Sequence, residues 1–152
     1  ACQALAADRD TKLLVSISDD VLADVNAPLL EQALINLLDN AIKYSPTKSE
    51  VLVTAHRESE WVALEVRDQG AGIAPEHLPR LFERFYRVDK ARSRKVGGTG
   101  LGLAIVKHIA QTHGGTAEVS SQVGFGSVFR LKLPVSRSSG LADTPFDPSA
   151  ET

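Results

Sequence analysis

Residues 26–68 read NAPLLEQALINLLDNAIKYSPTKSEVLVTAHRESEWVALEVRD, and the spacing of their apolar residues changes once along the way. Leu30, Leu34, Leu37, Leu38 and Ala41 recur every three or four positions, which is one stripe of a helix. Asn26 can cap that helix, Pro28 suits its first turn, and Ser45-Pro46 stops it. From Glu50 to His56 and again from Trp61 to Asp68 the period falls to two, so that Val51, Val53, Val62, Leu64 and Val66 can face a core. A helix followed by two strands that are expected to pair antiparallel is the nucleus of the fold.

Upstream, Leu13 to Ser18 and Val21 to Val25 are short β-like runs parted by Asp19-Asp20, expected as a hairpin or as two edge strands. Residues 1–12 are polar and alanine-rich, either a linker or the frayed end of a helix from a preceding helical domain. Downstream, Leu101 to His113 returns to helical spacing and ends at Gly114-Gly115, and Thr116 to Ser121 and Ser127 to Leu133 bracket a glycine-containing turn. The expected architecture is α/β of the α+β kind. It is a two-layer sandwich whose mixed, mostly antiparallel sheet of about five strands is covered on one face by about three helices. Residues 13–135 would form that domain, and 136–152, rich in Ser, Pro, Asp and Ala, a disordered tail.

At 152 residues the chain can bury a core of its own. Its net charge of -2 offers no general attraction to nucleic acid or anionic lipid. The single cysteine, Cys2, excludes an internal disulfide framework, and no apolar run approaches the roughly 18 residues that span a bilayer. Nothing resembles a signal peptide, so a cytoplasmic setting is expected.

Three segments carry candidate chemistry. Asn36, Asn40 and Lys43 follow one another at four and three residues on the helix, which places them on one face. That face is either solvated or a ligand site: an amide oxygen suits a hard cation such as Mg²⁺, and a lysine ammonium suits phosphate. Asp68-Gln-Gly70-Ala-Gly72 follows a hydrophobic strand, where it is either a plain turn or a place at which glycines let a ligand approach and the carboxylate accepts from an exocyclic amine such as that of adenine. Gly97-Gly98-Thr99-Gly100-Leu101-Gly102 leads into a helix whose N-terminal amides favour phosphate. It completes neither a Walker loop, which would end Gly-Lys-Ser/Thr, nor G-x-G-x-x-G. No H-R-D or D-F-G triplet of a eukaryotic-type protein kinase is present. Between the glycine segments, Leu81-Phe82-Glu83-Arg84-Phe85-Tyr86-Arg87 precedes the basic stretch Lys90, Arg92, Arg94 and Lys95, which is either a solvated loop or a set of cations reaching phosphate.

In this order the segments resemble the catalytic domain of bacterial sensor histidine kinases, within the gyrase, chaperone and mismatch-repair ATPase superfamily with its Bergerat-type fold. Asn36-Leu-Leu-Asp-Asn40-Ala-Ile-Lys43-Tyr44 is similar to the N box, Asp68-x-Gly70-x-Gly72 to the first glycine box, and Phe82-Glu83-Arg84-Phe85 to the F box. Gly98-Thr99-Gly100-Leu101-Gly102 is similar to the second glycine box and Gly124-Phe-Gly126-Ser127 to a weaker third. The run from Arg80 to Arg94 is similar to phosphate-regulon sensor kinases. The resemblance implies ATP and Mg²⁺ as ligands, with Asn40 on the metal, Asn36 and Lys43 near the phosphates, Tyr44 lining the pocket, Asp68 reading the adenine amine and Arg87 touching the γ-phosphate. Tyr86 to Gly102 would be a lid, with Gly98, Thr99, Gly100, Leu101 and Gly102 meeting phosphate and with Phe82 and Phe85 tying it to the domain.

It further implies γ-phosphate transfer to a histidine on a separate dimerisation domain, and from there to a response regulator, with the isolated piece monomeric. Asn26 stands where the family often has aspartate. No histidine sits in the H-box pattern, so His56, His77, His108 and His113 are expected to be structural or exposed. Two rival readings are a conformational-cycle ATPase and a nucleotide-sensing docking module without turnover. The ATPase branches use a glutamate four residues before the metal-binding asparagine to activate water, and here that position is Asn36, an amide that takes no proton.

Overall fold

The helix expected after Asn26 spans Ala27–Tyr44 in the computed structural model, which describes residues 2–88 and 100–135. Asn26 is extended and its side chain accepts from the Leu29 N–H at 3.1 Å, satisfying a donor that the first turn leaves unpaired. At the other end the Ser45 hydroxyl donates to the Ala41 carbonyl at 2.6 Å, and Pro46 follows. Labelled in chain order, the elements are α1 (Cys2–Asp8), β1 (Lys12–Ile17), α2 (Ala27–Tyr44), β2 (Glu50–Glu58), β3 (Trp61–Arg67), a short 3-10 turn (Leu78–Arg80), α3 (Gly102–Thr112), β4 (Thr116–Gln122) and β5 (Gly126–Pro134).

The strands form one sheet in the order β1-β2-β3-β5-β4. β2, β3, β5 and β4 pair antiparallel, with Val53 opposite Val66 and Val66 in turn opposite Phe129. β1 alone is parallel to its neighbour, Leu13 lying beside Val51. This overturns the hairpin or edge-strand pair expected at residues 13–25. A parallel neighbour requires a crossover, which here is α2, so residues 21–25 carry the chain from the sheet edge to the start of that helix and form no strand. The ladder ends where the Ser18 N–H meets Ala55 O at 3.0 Å.

One sheet face is apolar and the other charged. Val51, Val66, Phe129 and Leu131 bury against Leu37, Ala41 and Ile42 of α2 and Val106, Ile109 and Ala110 of α3. On the opposite face Glu65 pairs with Arg130 across β3 and β5, and Lys132 reaches Glu118 at 3.9 Å. Helices therefore cover one side, as a period of two with one apolar face requires. The stripe on α2 departs from expectation at Leu34, which is half-buried and outside the core, whereas Ala33 and Ile42 are fully buried. The helix lies against both sheet and α3, and the two neighbours widen and turn its buried face. Residues 2–8, left open between linker and helix end, are a helix that places Ala6 in the core, held by Arg9 Nη2 donating to Ser45 O at 2.7 Å. Among the described residues no helix is long and apolar enough to cross a membrane. Residues 136–152, expected as a tail, lie outside the described residues.

Candidate nucleotide site

Asn36, Asn40, Lys43 and Tyr44, all half-buried, share a face of α2 that forms one wall of a cavity of about 670 Å³. The facing walls are the loop after β3 (Asp68, Gly70, Ala71, Gly72), Leu81 with Tyr86, Arg87 and Val88, and the start of α3 (Gly100, Leu101, Gly102), with Phe129 of β5 contributing apolar surface. Lys43 Nζ sits 3.0 Å from Asp39 Oδ2, one helical turn back. Asp39 lines the same cavity and was not singled out from the sequence, although its position three after Asn36 and four before Lys43 puts it on their face.

Asp68 is buried, and its Oδ1 accepts from the N–H groups of Gly70 at 2.9 Å and Ser127 at 3.2 Å. Burial pushes its carboxyl above the ordinary aspartate value, and the two N–H donors oppose that shift without cancelling it. Neither bond occupies Oδ2. The glycines here answer to crowding: an added Cβ would meet Tyr44 O at 2.8 Å at Gly70 and Gln122 O at 2.2 Å at Gly72, where φ is +79°. Gly126, at φ +104°, would place a Cβ 2.2 Å from Asp68 O. The turn between β4 and β5 is thus folded down on the Asp68 loop, and Gly124 N donates to Ala71 O at 2.7 Å. Ser127, which closes the third glycine segment and was given no role of its own, lines the cavity beside Asp68, brought there by β3–β5 pairing.

The two phenylalanines expected to tie the lid down behave differently. Phe82 packs edge-on against Phe129, ring centroids 6.4 Å apart. Phe85 is 68% exposed, and its backbone makes the tie instead, its N–H donating to Gly100 O at 2.8 Å with φ +65°. Gly100 is obligatory at that contact, since a Cβ there would lie 2.8 Å from Phe85 Cα. Tyr86 and Arg87 both line the cavity. Tyr86 is held by a hydrogen bond between its hydroxyl and His77 Nδ1 and by the Arg80 guanidinium 4.5 Å above its ring. Gly98, Thr99 and the basic residues Lys90, Arg92, Arg94 and Lys95 lie outside the described residues.

Each histidine sits within or beside a secondary-structure element. His113 joins the two long helices, accepting from Asn26 N at Nε2 (2.9 Å) while Nδ1 meets Ile109 O (2.8 Å), which sets its tautomer. His56 meets Glu58 at 2.8 Å, and His108 lies within α3.

A two-layer sandwich with a nucleotide-sized cavity between its longest helix, a buried aspartate and a glycine-opened helix start defines an ATPase class. Residues 25–137 match the histidine kinase-, DNA gyrase B-, and HSP90-like ATPase family, and the chain belongs to it. Relatives within that family include sensor histidine kinases. The sensor-like histidine kinase SenX3 of Mycobacterium tuberculosis is 56% identical over 106 residues, 70% of this chain and 26% of SenX3. The phosphate regulon sensor protein PhoR of Pseudomonas aeruginosa is 43% identical over 127 residues, 84% of this chain and 29% of PhoR. The structure of full-length ShkA in complex with AMPPNP superposes with a TM-score of 0.73 at 30% identity, over 86% of this chain and 27% of ShkA. The chain therefore spans under a third of the length of these relatives.

Proposed function

We propose that this chain is the catalytic part of a two-component sensor histidine kinase. It binds Mg-ATP in the cavity and passes the γ-phosphate to a histidine on a separate helical dimerisation domain, from which the phosphate moves to a response regulator. The observation that carries this reading is the convergence on one cavity of Asn36, Asn40 and Lys43, of Asp68, and of the start of α3.

Asp68 Oδ2 accepts from the exocyclic amine of adenine, and Tyr44 lines the pocket. Asn36, Lys43 and the N–H groups at Gly100, Leu101 and Gly102, joined by Gly98 and Thr99, hold the phosphates, and Arg87 and Tyr86 close on the γ-phosphate side. Gly102 supports this assignment. A Cβ there would come no nearer than 3.6 Å to Asn36 Oδ1, so protein packing does not demand the glycine, whereas a phosphate laid against the backbone would. The oxygen donors of Asn36, Asp39 and Asn40 suit a hard cation; Asn40 would hold Mg²⁺, which neutralises phosphate charge. Transfer then rests on positioning and charge stabilisation, and Asn36, having no basic oxygen, leaves water unactivated. The parent kinase would be cytoplasmic in this portion, and the isolated chain monomeric.

The test mixes the chain with γ-labelled Mg-ATP, with and without a sensor kinase's helical dimerisation domain. Acid-labile, base-stable label should appear on the helical partner alone. Label on the isolated chain, brisk hydrolysis without the partner, or binding with no transfer at all would each overturn the assignment.

A further inference from the structure

Ser121, on β4, is half-buried behind the Asp68 loop and has three polar neighbours. Its Oγ accepts from the Ile73 N–H at 2.8 Å, lies 2.9 Å from Gly126 O and lies 2.8 Å from the Ser127 Oγ. Each of the two oxygen–oxygen contacts needs one proton between its atoms. The Gly126 carbonyl has none to give, so the proton of Ser121 must lie on that contact. The proton on the other contact can then come only from Ser127. Ser121 is left saturated, donating once and accepting twice, and Ser127 is left with its proton turned away from the cavity that it lines.

From this count we infer that Ser121 is a positioning residue for nucleotide selection, taking the hydroxyl proton of Ser127 so that the Ser127 oxygen meets the cavity as an acceptor beside Asp68. The inference rests on the reading of Asp68 as the group that meets the base. Two acceptors side by side, the carboxylate and the Ser127 oxygen, match the two hydrogens of an exocyclic amine at the purine 6-position. A purine carrying a carbonyl there presents lone pairs to both and is rejected, since a site built from acceptors leaves buried oxygens facing one another. A free serine hydroxyl could rotate and donate to that carbonyl. With its proton committed to Ser121, the Ser127 hydroxyl loses this option, and discrimination between the two purines becomes sharper than Asp68 alone provides. Ser121 also holds the loop, through Ile73, at the height at which Asp68 presents its carboxylate.

Calorimetric titrations with Mg-ATP and Mg-GTP separate these effects in the wild-type chain, Ser121→Ala, Ser121→Thr and Asp68→Asn. Ser121→Ala frees the Ser127 proton and should cut the ATP-over-GTP affinity ratio by about three- to tenfold, chiefly by improving GTP, while Ser121→Thr, which keeps the hydroxyl, retains the wild-type ratio. Should Ser121→Ala fail to melt cooperatively, Ser121→Cys is read in the same way, because a thiol is a poor acceptor for the Ser127 proton. Equal weakening of both nucleotides in Ser121→Ala would reduce Ser121 to a structural support and overturn the inference, as would an unchanged ratio. If Asp68→Asn collapses the ratio and Ser121→Ala does not, this inference fails while the adenine reading stands. If Asp68→Asn also leaves it unchanged, both fail.

Discussion

At the scale of one residue, the burial that disfavours the charged form of Asp68 is set against its proposed role at adenine. The residue is 7% exposed, and with a carboxyl held above the ordinary aspartate value the charged form is disfavoured in the folded chain. For a raised folded value, the stabilising contribution is fully present below the unfolded value near 3.8 and is lost as pH rises through the folded one, so at neutral pH the chain carries the cost of a buried charge. Asp68→Asn keeps an oxygen for the Gly70 and Ser127 N–H groups and removes that charge. The nucleotide-free variant should melt no lower than wild type, and up to a few degrees higher, while ATP affinity falls about tenfold or more as a charged acceptor is lost. In the wild type, ATP affinity should begin to fall on acidification at a higher pH than an ordinary aspartate would dictate. Calorimetry across pH 4 to 7 checks both, and an Asp68→Asn chain with wild-type affinity would remove the adenine role.

Two elements meet the cavity through constraints that only their packing reveals. The β4–β5 turn carries Gly124 at φ +88° and Gly126 at φ +104°, yet a Cβ on Gly124 would meet nothing within 4 Å whereas one on Gly126 would strike Asp68 O. Gly124→Ala should therefore cost about 1 kcal/mol, the backbone penalty alone. Gly126→Ala should cost about 2 kcal/mol or more and also weaken ATP binding, because the Asp68 loop must shift. Urea melts of the two variants with matched titrations distinguish them; equal losses would mean that the turn does not press on the loop. On α2, the buried face carrying Ala33, Leu37 and Ala41 anchors the helix against sheet and α3, which leaves Asn36, Asn40 and Lys43 free to turn into the cavity.

At the scale of the whole molecule, the proposed function makes binding and transfer separable, because the cavity residues lie in this chain and the proposed acceptor lies on another domain. Arg87 lines the cavity beside Tyr86 and Val88, and in the proposed reaction its guanidinium would stabilise the charge distributed over the phosphoryl group in the transition state. Arg87→Ala should lower transfer to an added helical domain by about ten- to a hundredfold and change the ATP dissociation constant by less than about threefold. A loss of binding equal to the loss of transfer would assign Arg87 to the ground state. Joining the helical domain covalently should raise the transfer rate of wild type and variant alike, since the link supplies effective concentration without changing the site.

The succession of helix, paired strands, helix and hairpin was legible in local periods, because each element buries one face and that face recurs at 3.6 or 2 residues. That the polar residues of α2 and the Asp68 loop stand apart from the core is legible for a related reason, in that polar residues at helical spacing and glycines after a strand interrupt those periods, and both groups line the cavity. Other features were decided by pairing between distant segments. The parallel placement of β1, the absence of a strand at residues 21–25 and the packing of α1 depend on which edge of the sheet is open and which helix crosses over it. The exposed ring of Phe85 depends on where Gly100 lies, and the seating of Ser121, Ser127 and Gly126 around Asp68 on a β3–β5–β4 register that joins residues some sixty positions apart. Local spacing reports which face a residue occupies within its own element. What that face meets is set by tertiary packing, where sterics and the count of hydrogen-bond donors act between segments that carry no mark of one another in the chain.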